Sequence, residues 1–367
     1  MNTHLLHQIA LTLVPNIGAV QARILVDHFG EAPAVFKAKK SSLELLEGIG
    51  TVRAQSIKAF SGFKKAEEEI AFIDKYHITP LFLTDTLYPQ RLLNCYDPPV
   101  MLYYRGKANL NASKIIAVVG TRSKTEYGKH LTEKLVADLE DQQILVVSGL
   151  ALGIDAAAHK AALKHKLPTV AVMAHGLDKI YPSDNTALAK EILKENGGLL
   201  TEFRSKTKPD KHHFPSRNRI VAGMCDAAVV IETDIKGGSM ITAELAAGYN
   251  RDVFAFPGRT TDNKSAGCHA LIKNNKAILL TGAADIVDML GWTEKKVTPV
   301  TRQKELFIQL NHEEKMIVDV LTQNNTVSID QLREKTCLSA SILAASILSL
   351  ELQNVVSALP GKRYQLL

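Results

Sequence analysis

A chain of 367 residues is long enough for two or three domains, and a 46% hydrophobic content fills a sizeable core and excludes wholesale disorder. The net charge of +6 permits an anionic partner without demanding one. Cys95, Cys225, Cys268 and Cys337 lie far apart, which excludes a disulfide framework and a spaced zinc site. No Lys or Arg precedes Arg23, so a secretory leader would lack its basic start, and no apolar run approaches a membrane span. The expectation is a cytosolic protein with no membrane partner and no metal or cofactor.

Residues 1–72 read as a helical domain with two similar hairpins, Val14-Pro-Asn-Ile-Gly-Ala-Val-Gln-Ala22 and Leu46-Glu-Gly-Ile-Gly-Thr-Val-Arg-Ala54. Each has a Gly at a turn before a helix start, where backbone N–H groups can approach a phosphate. The pattern resembles a tandem helix-hairpin-helix (SAM-like) unit, with Asn16 standing where the second copy has Gly48. A small bundle that binds nothing is the plainer alternative, and the near-neutral charge here (eight basic, seven acidic in 1–70) favours it.

From about residue 73 to 290 the pattern becomes strand–helix alternation. Strands are expected at Ile115–Val119, Ile144–Val147, Thr169–Met173, Gly198–Thr201, Ala227–Ile231, Val253–Phe256 and Ala277–Leu280. Several are apolar throughout, as in a sheet covered on both faces. The expected fold is α/β: a doubly wound, Rossmann-like parallel sheet. Ligands bind beyond the carboxyl ends of such strands. There stand Gly120-Thr-Arg122-Ser123, Ser148-Gly149 through Asp155, Lys236-Gly-Gly238-Ser239-Met-Ile-Thr242, and Pro257-Gly258-Arg259. Their amides, hydroxyls and arginines suit phosphates. Any one of these glycine turns alone is routine.

The run Arg204–Arg219 (RSKTKPDKHHFPSRNR) carries six basic residues, Lys211, Arg217 and Arg219 among them, around one aromatic, Phe214. Cations that track a phosphate backbone beside a stacking ring are what a single strand needs. A solvated basic loop is the alternative, but Arg217-Asn218-Arg219 leads into Ile220-Val221-Ala222, which holds the run at a helix start.

Residues 291–310 read as a linker, preceded by a short helix at Ala284–Leu290. Residues 311–367 then give helices at Glu313–Leu321, Ile329–Lys335 and Ser339–Gln353 and strands at Val355–Ala358 and Arg363–Leu366. This is a winged-helix pattern. No Lys or Arg occurs from Cys337 to Gly361, so groove reading by the third helix is not expected. A protein-contact module fits better, with Lys362 and Arg363 at the wing for weak phosphate contact.

The motifs Val119-Gly-Thr-Arg122, Ser148-Gly-Leu-Ala-Leu-Gly-Ile-Asp155 with His159, Gly176-Leu-Asp178 with Tyr181-Pro182, Phe214-Pro-Ser-Arg-Asn-Arg-Ile220, Gly238-Ser-Met-Ile-Thr-Ala243 and Val253-Phe-Ala-Phe-Pro-Gly258 together resemble the DNA-processing protein A (DprA, or Smf) family, in order and over essentially the whole chain. The resemblance implies a non-enzymatic protein that binds and protects incoming single-stranded DNA, loads the RecA recombinase in natural transformation, and forms a homodimer through its Rossmann-like domain. Carried over by motif, the expected DNA contacts are Gly120, Arg122, Ser148, Gly149, Lys211, Phe214, Arg217, Asn218, Gly238, Ser239 and Thr242.

The alternative is a nucleotide-hydrolysing enzyme of the lysine-decarboxylase-like fold group, whose Pro-Gly-Gly-x-Gly-Thr-x-x-Glu motif is matched in part by Lys236–Glu244. Lys236 replaces the Pro, and Met240-Ile241 replaces the Gly-Thr pair. Asp155 and His159 stand four apart and could share a proton, but a helix-start carboxylate and a histidine bonded within the fold is the simpler reading. Glu244 and Glu202 are the other carboxylates that hydrolysis could use.

Overall fold

Strands apolar on both faces need cover on both, and the computed structural model, which describes residues 3–292, 310–324, 326–353, 355–359 and 363–366, supplies it. The chain divides into two units, Met1–Thr293 and Glu294–Leu367. The expected linker at 291–310 lies almost wholly outside the described residues, as does Lys362.

The first unit opens with α1 (Thr3–Leu11), α2 (Ala19–Phe29), α3 (Ala32–Lys37), α4 (Lys40–Glu44), α5 (Gly50–Lys58) and α6 (Phe63–Tyr76). The two hairpins share a backbone feature: Asn16 and Gly48 both lie in the left-handed region, at φ 64° and 80°. Asn adopts this conformation almost as readily as Gly, so its substitution preserves the turn. Arg53 joins the turns by donating to the carbonyls of Asn16 and Gly48 at 3.1 and 3.0 Å. Residue 72, the expected boundary, falls inside α6.

There follow β1 (Thr79–Phe82), α7 (Gln90–Leu93), β2 (Met101–Gly106), β3 (Ile115–Val119), α8 (Glu126–Asp138), β4 (Leu145–Ser148), α9 (Ile154–Lys164), β5 (Thr169–Val172), α10 (Thr186–Lys194), β6 (Gly198–Thr201), α11 (His213–Met224), β7 (Ala227–Val230), α12 (Gly238–Gly248), β8 (Asp252–Ala255), α13 (Ala266–Lys273), β9 (Ile278–Leu279) and α14 (Ala283–Met289). The sheet order is β1-β2-β6-β5-β4-β3-β7-β8-β9. The seven strands from β6 to β9 pair in parallel, as expected. The sheet as a whole is mixed, because β2 adds to β6 and β1 to β2 in antiparallel fashion. Alternation on β3 sets the layers. Ile115, Ala117 and Val119 face one core, shared with α11, α12 and the N-terminal helices, while Ile116 and Val118 face another, shared with α8, α9 and α14.

One buried carboxylate ties the N-terminal helices to the sheet edge. Glu69 of α6 accepts the Ser205 hydroxyl at 2.6 Å and its amide at 2.9 Å, just past the end of β6. A second buried polar contact lies inside the sheet layer. His159 of α9 bonds the Thr169 hydroxyl at 2.7 Å, and Thr169 donates to the Val146 carbonyl.

The second unit has α15 (His312–Gln323), β10 (Val327–Ser328), α16 (Ile329–Thr336), α17 (Ala340–Leu352), β11 (Val356–Leu359) and β12 (Arg363–Leu366). Its antiparallel sheet runs β10-β12-β11. Ile317, Leu332, Leu343 and Leu350 form its core. This is the expected winged helix. Among the described residues no single helix is long and apolar enough to cross a membrane.

Glu69→Ala leaves the Ser205 amide and hydroxyl unsatisfied and should cost about 2–4 kcal/mol, read as a lower urea midpoint, with Glu69→Gln costing less because one acceptor remains. Burial holds the His159 pKa at about 3, below its ordinary 6.5. The unfolded chain therefore binds the extra proton between these values, and stability falls as pH drops from 6.5 toward 3. His159→Asn should flatten the plot of unfolding free energy against pH by up to about 1.4 kcal/mol per pH unit in that window. An unchanged slope would place the titrating group elsewhere.

Candidate nucleic-acid interface

The neighbouring strands β3 and β7 continue in opposite directions, β3 to β4 on one side and β7 to β8 on the other, which opens a crevice at the carboxyl edge between them. A cleft of about 460 Å³ lies there. Its walls are the loops after β3, β4 and β7 and the first turns of α11 and α12.

Helix N-termini reach this edge, each a potential anion site, and those of α8 and α9 are filled by the protein itself. At α8, the buried Glu232 carboxylate accepts the Thr125 amide at 3.0 Å and also the Thr125 hydroxyl. At α9, Asp155 in the first turn accepts the Ala151 amide at 3.3 Å. Burial pushes the Asp155 carboxyl above the usual carboxylate range, against the pull of the Arg217 guanidinium. At α12 the first turn carries no acid, and the space beside Gly238 is open. Ser239 donates to the Thr233 hydroxyl at 2.7 Å, which fixes the turn. The N-terminus of α12 is thus open, with Gly237, Gly238, Ser239 and Thr242 on the cleft wall.

Helix α11 brings the aromatic and amide groups. Its Pro215 sits in the first turn, where an amide would have no helical partner anyway. Phe214 is half-buried, with the Arg122 guanidinium 5.1 Å from its ring centre and the Tyr181 ring 6.1 Å away. Asn218 donates to the Gly238 carbonyl at 3.4 Å and links α11 to α12. Lys211 lines the cleft and is exposed. Behind Phe214 a side pocket of about 60 Å³ is walled by Tyr181, Met173 and His175, whose Nε2 has no partner and whose pKa burial lowers.

The basic run does not act as one. Arg217 is only 5% exposed and donates to the carbonyls of Gly149 and Val172. Arg219 is held by Glu202 and Asp97, and Lys206 pairs with Glu68 at 3.6 Å. Arg204, Lys208 and Lys211 have no such acid partner among the described residues.

Of the residues singled out in the sequence, Gly120, Arg122, Gly149, Lys211, Phe214, Arg217, Asn218, Gly238, Ser239 and Thr242 all line the cleft. Ser148 does not. It is fully buried, and its hydroxyl donates to the Val118 carbonyl at 2.6 Å. Both faces of β4 are covered, so the Ser148 hydroxyl is enclosed and makes a structural bond rather than the expected contact. Gly120 and Gly149 are glycines for internal reasons, since a Cβ would collide with Ile154 in one case and with Arg217 in the other. Arg259 lies outside the cleft lining. Sequence reasoning did not single out Thr233 and Asp234, which also line the cleft, or Glu232 behind it. Their positions just after β7 were the available signal.

The chain matches the DNA recombination-mediator protein A family over residues 79–291 and the DprA winged helix domain over 308–362. Protein Smf of Synechocystis sp. is 32% identical, with 99% of each chain covered. The X-ray structure of DNA processing protein A from Streptococcus pneumoniae superposes with a TM-score of 0.63 at 33% identity, covering 77% of this chain and 97% of that one. DNA processing protein A from Helicobacter pylori, whose structure concerns its single-stranded DNA binding mode, gives 0.53 at 31% identity, covering 59% and 96%. A doubly wound sheet, a winged helix and these matches along the whole length lead to one conclusion: the chain belongs to the DNA recombination-mediator protein A (DprA/Smf) family.

Proposed function

We propose that this protein binds single-stranded DNA in the cleft, without turnover, and serves as a mediator that protects incoming strands and loads the RecA recombinase during natural transformation. The observation that carries the reading is the lip formed by Arg122, Phe214 and Tyr181 beside the open N-terminus of α12. A guanidinium plane and two rings offer stacking faces to unpaired bases, and the helix N-terminus with Lys211 offers positive charge to phosphates. A duplex presents no free base faces. The solved H. pylori relative, with its single-stranded DNA binding mode, supports the same class of ligand. Dimerisation through the sheet domain belongs to the same proposal and is read by light scattering.

The hydrolytic alternative finds little support in the geometry. Glu244 lies outside the cleft lining and pairs with Lys276 at 3.0 Å. Glu202 is tied to Arg219. Asp155 and His159 serve the α9 turn and Thr169 respectively.

Fluorescence anisotropy of labelled dT oligonucleotides and matching duplex at two salt concentrations tests the reading, and the single strand should bind more tightly. Phe214→Ala should weaken it by about 1–3 kcal/mol, roughly 5- to 150-fold in Kd. Arg122→Ala and Lys211→Ala should each reduce the salt slope by about 0.7. Ser148→Ala should leave affinity unchanged. If Phe214→Ala, Arg122→Ala and Lys211→Ala all bound as the wild type, the cleft would not be the site. Incubation with nucleoside monophosphates should release neither base nor phosphate, and release that Glu244→Gln abolished would favour the hydrolase.

A further inference from the structure

A second groove, of about 540 Å³, lies between the N-terminal helices and the loop that follows β6. Lys65 of α6 and Arg204 of that loop both line it, with Gln55 and Ser61 as polar donors and Phe60 as an aromatic wall. No carboxylate lines it. The acids nearby are already matched, Glu68 by Lys206 and Glu69 by the Ser205 amide and hydroxyl. Lys65 and Arg204 are therefore surplus cations facing one concave surface, without an acid partner among the described residues.

We propose that this groove is a second backbone-binding site, in which Lys65 and Arg204 hold phosphodiester groups of the same strand that occupies the cleft. This inference rests on the single-strand reading of the cleft. Two further observations connect the sites. The groove lies at the carboxyl end of β6, the same sheet edge as the cleft, and β6 stands three strands from β3. At a spacing of about 4.8 Å per strand that separation is about 14 Å, within reach of a few nucleotides. The chain itself bridges the gap, with Arg204 in the groove, exposed Lys208 between, and Lys211 in the cleft. The cations of the 204–219 run that have no acid partner and are not buried thus mark a path from one site to the other. A duplex cannot follow a path that begins by stacking bases on Phe214, whereas a single strand can. The N-terminal helices would then contribute to DNA binding through the base of α6 rather than through the hairpin turns at Asn16 and Gly48, which Arg53 already occupies.

The test uses the full chain and a length series of dT oligonucleotides from about 4 to about 16 nucleotides. In the wild type, affinity should rise in a step once the oligonucleotide is long enough to reach the groove. The double variant Lys65→Gln/Arg204→Gln should bind the shortest oligonucleotides as the wild type does, lose that step, bind the longest about tenfold more weakly, and show a salt slope shallower by about 1.4. Lys65→Glu/Arg204→Glu should deepen the loss, and thermal melting checks that both variants are folded. Wild-type affinity for the longest oligonucleotide in both folded variants would overturn the groove. So would an equal loss at every length, which would signal a general field effect. A wild type that bound no length at all would instead overturn the cleft reading, and the groove with it.

Discussion

A buried guanidinium organises the functional edge of this protein. Arg217 sits under the cleft and donates to carbonyls after β4 and at the end of β5, so one side chain fixes α11 against two strands. A charge taken out of water must be compensated, and Asp155 at the start of α9 supplies the opposing field. Gly149 follows from the same packing, because any side chain there would displace the guanidinium. Phe214 lies three residues before Arg217 on the helix, hence on nearly the same face, so anchoring Arg217 also aims the ring at Arg122 and Tyr181. The position of the aromatic lip is thus set from below by an electrostatic anchor.

The same economy governs the rest of the edge. Helix N-termini that point at a sheet's carboxyl side attract anions, and those of α8 and α9 hold carboxylates of the chain itself, Glu232 and Asp155. A phosphate is left with the α12 terminus, where Gly238 leaves room. A charged ligand is therefore directed to one wall of the cleft by the filling of the others.

Much of this was legible in the sequence. Apolar runs located all seven parallel strands, and glycine-rich turns after them located the cleft. Neither antiparallel strand was read from the sequence; β1 is four residues long and contains Pro80, which argues against a strand everywhere except at an edge, the place it occupies. The basic run was read as one unit because its partners are remote in sequence. Glu68, Asp97 and Glu202 separate the structural cations from the free ones only after folding. Ser148 was misread for a related reason: a hydroxyl at a strand end belongs to whichever acceptor the neighbouring strand supplies, here the Val118 carbonyl.

The winged-helix unit bears on selectivity. In such a module the third helix enters the major groove and needs donors for base edges and phosphates. Here that helix, α17, has no Lys or Arg, and Ile342, Leu348 and Leu352 are exposed along it. An apolar surface gains nothing from a phosphate backbone, whose binding depends on released counterions. Duplex readout by α17 is therefore unsupported, and under the proposed single-strand binding the preference would rest on the cleft of the first unit. On that proposal the aromatic lip would make unpaired bases the cheaper ligand, because a duplex would first have to unstack. Selectivity then depends on Phe214 having a face free for stacking, and the anchored Arg217 keeps that ring in place.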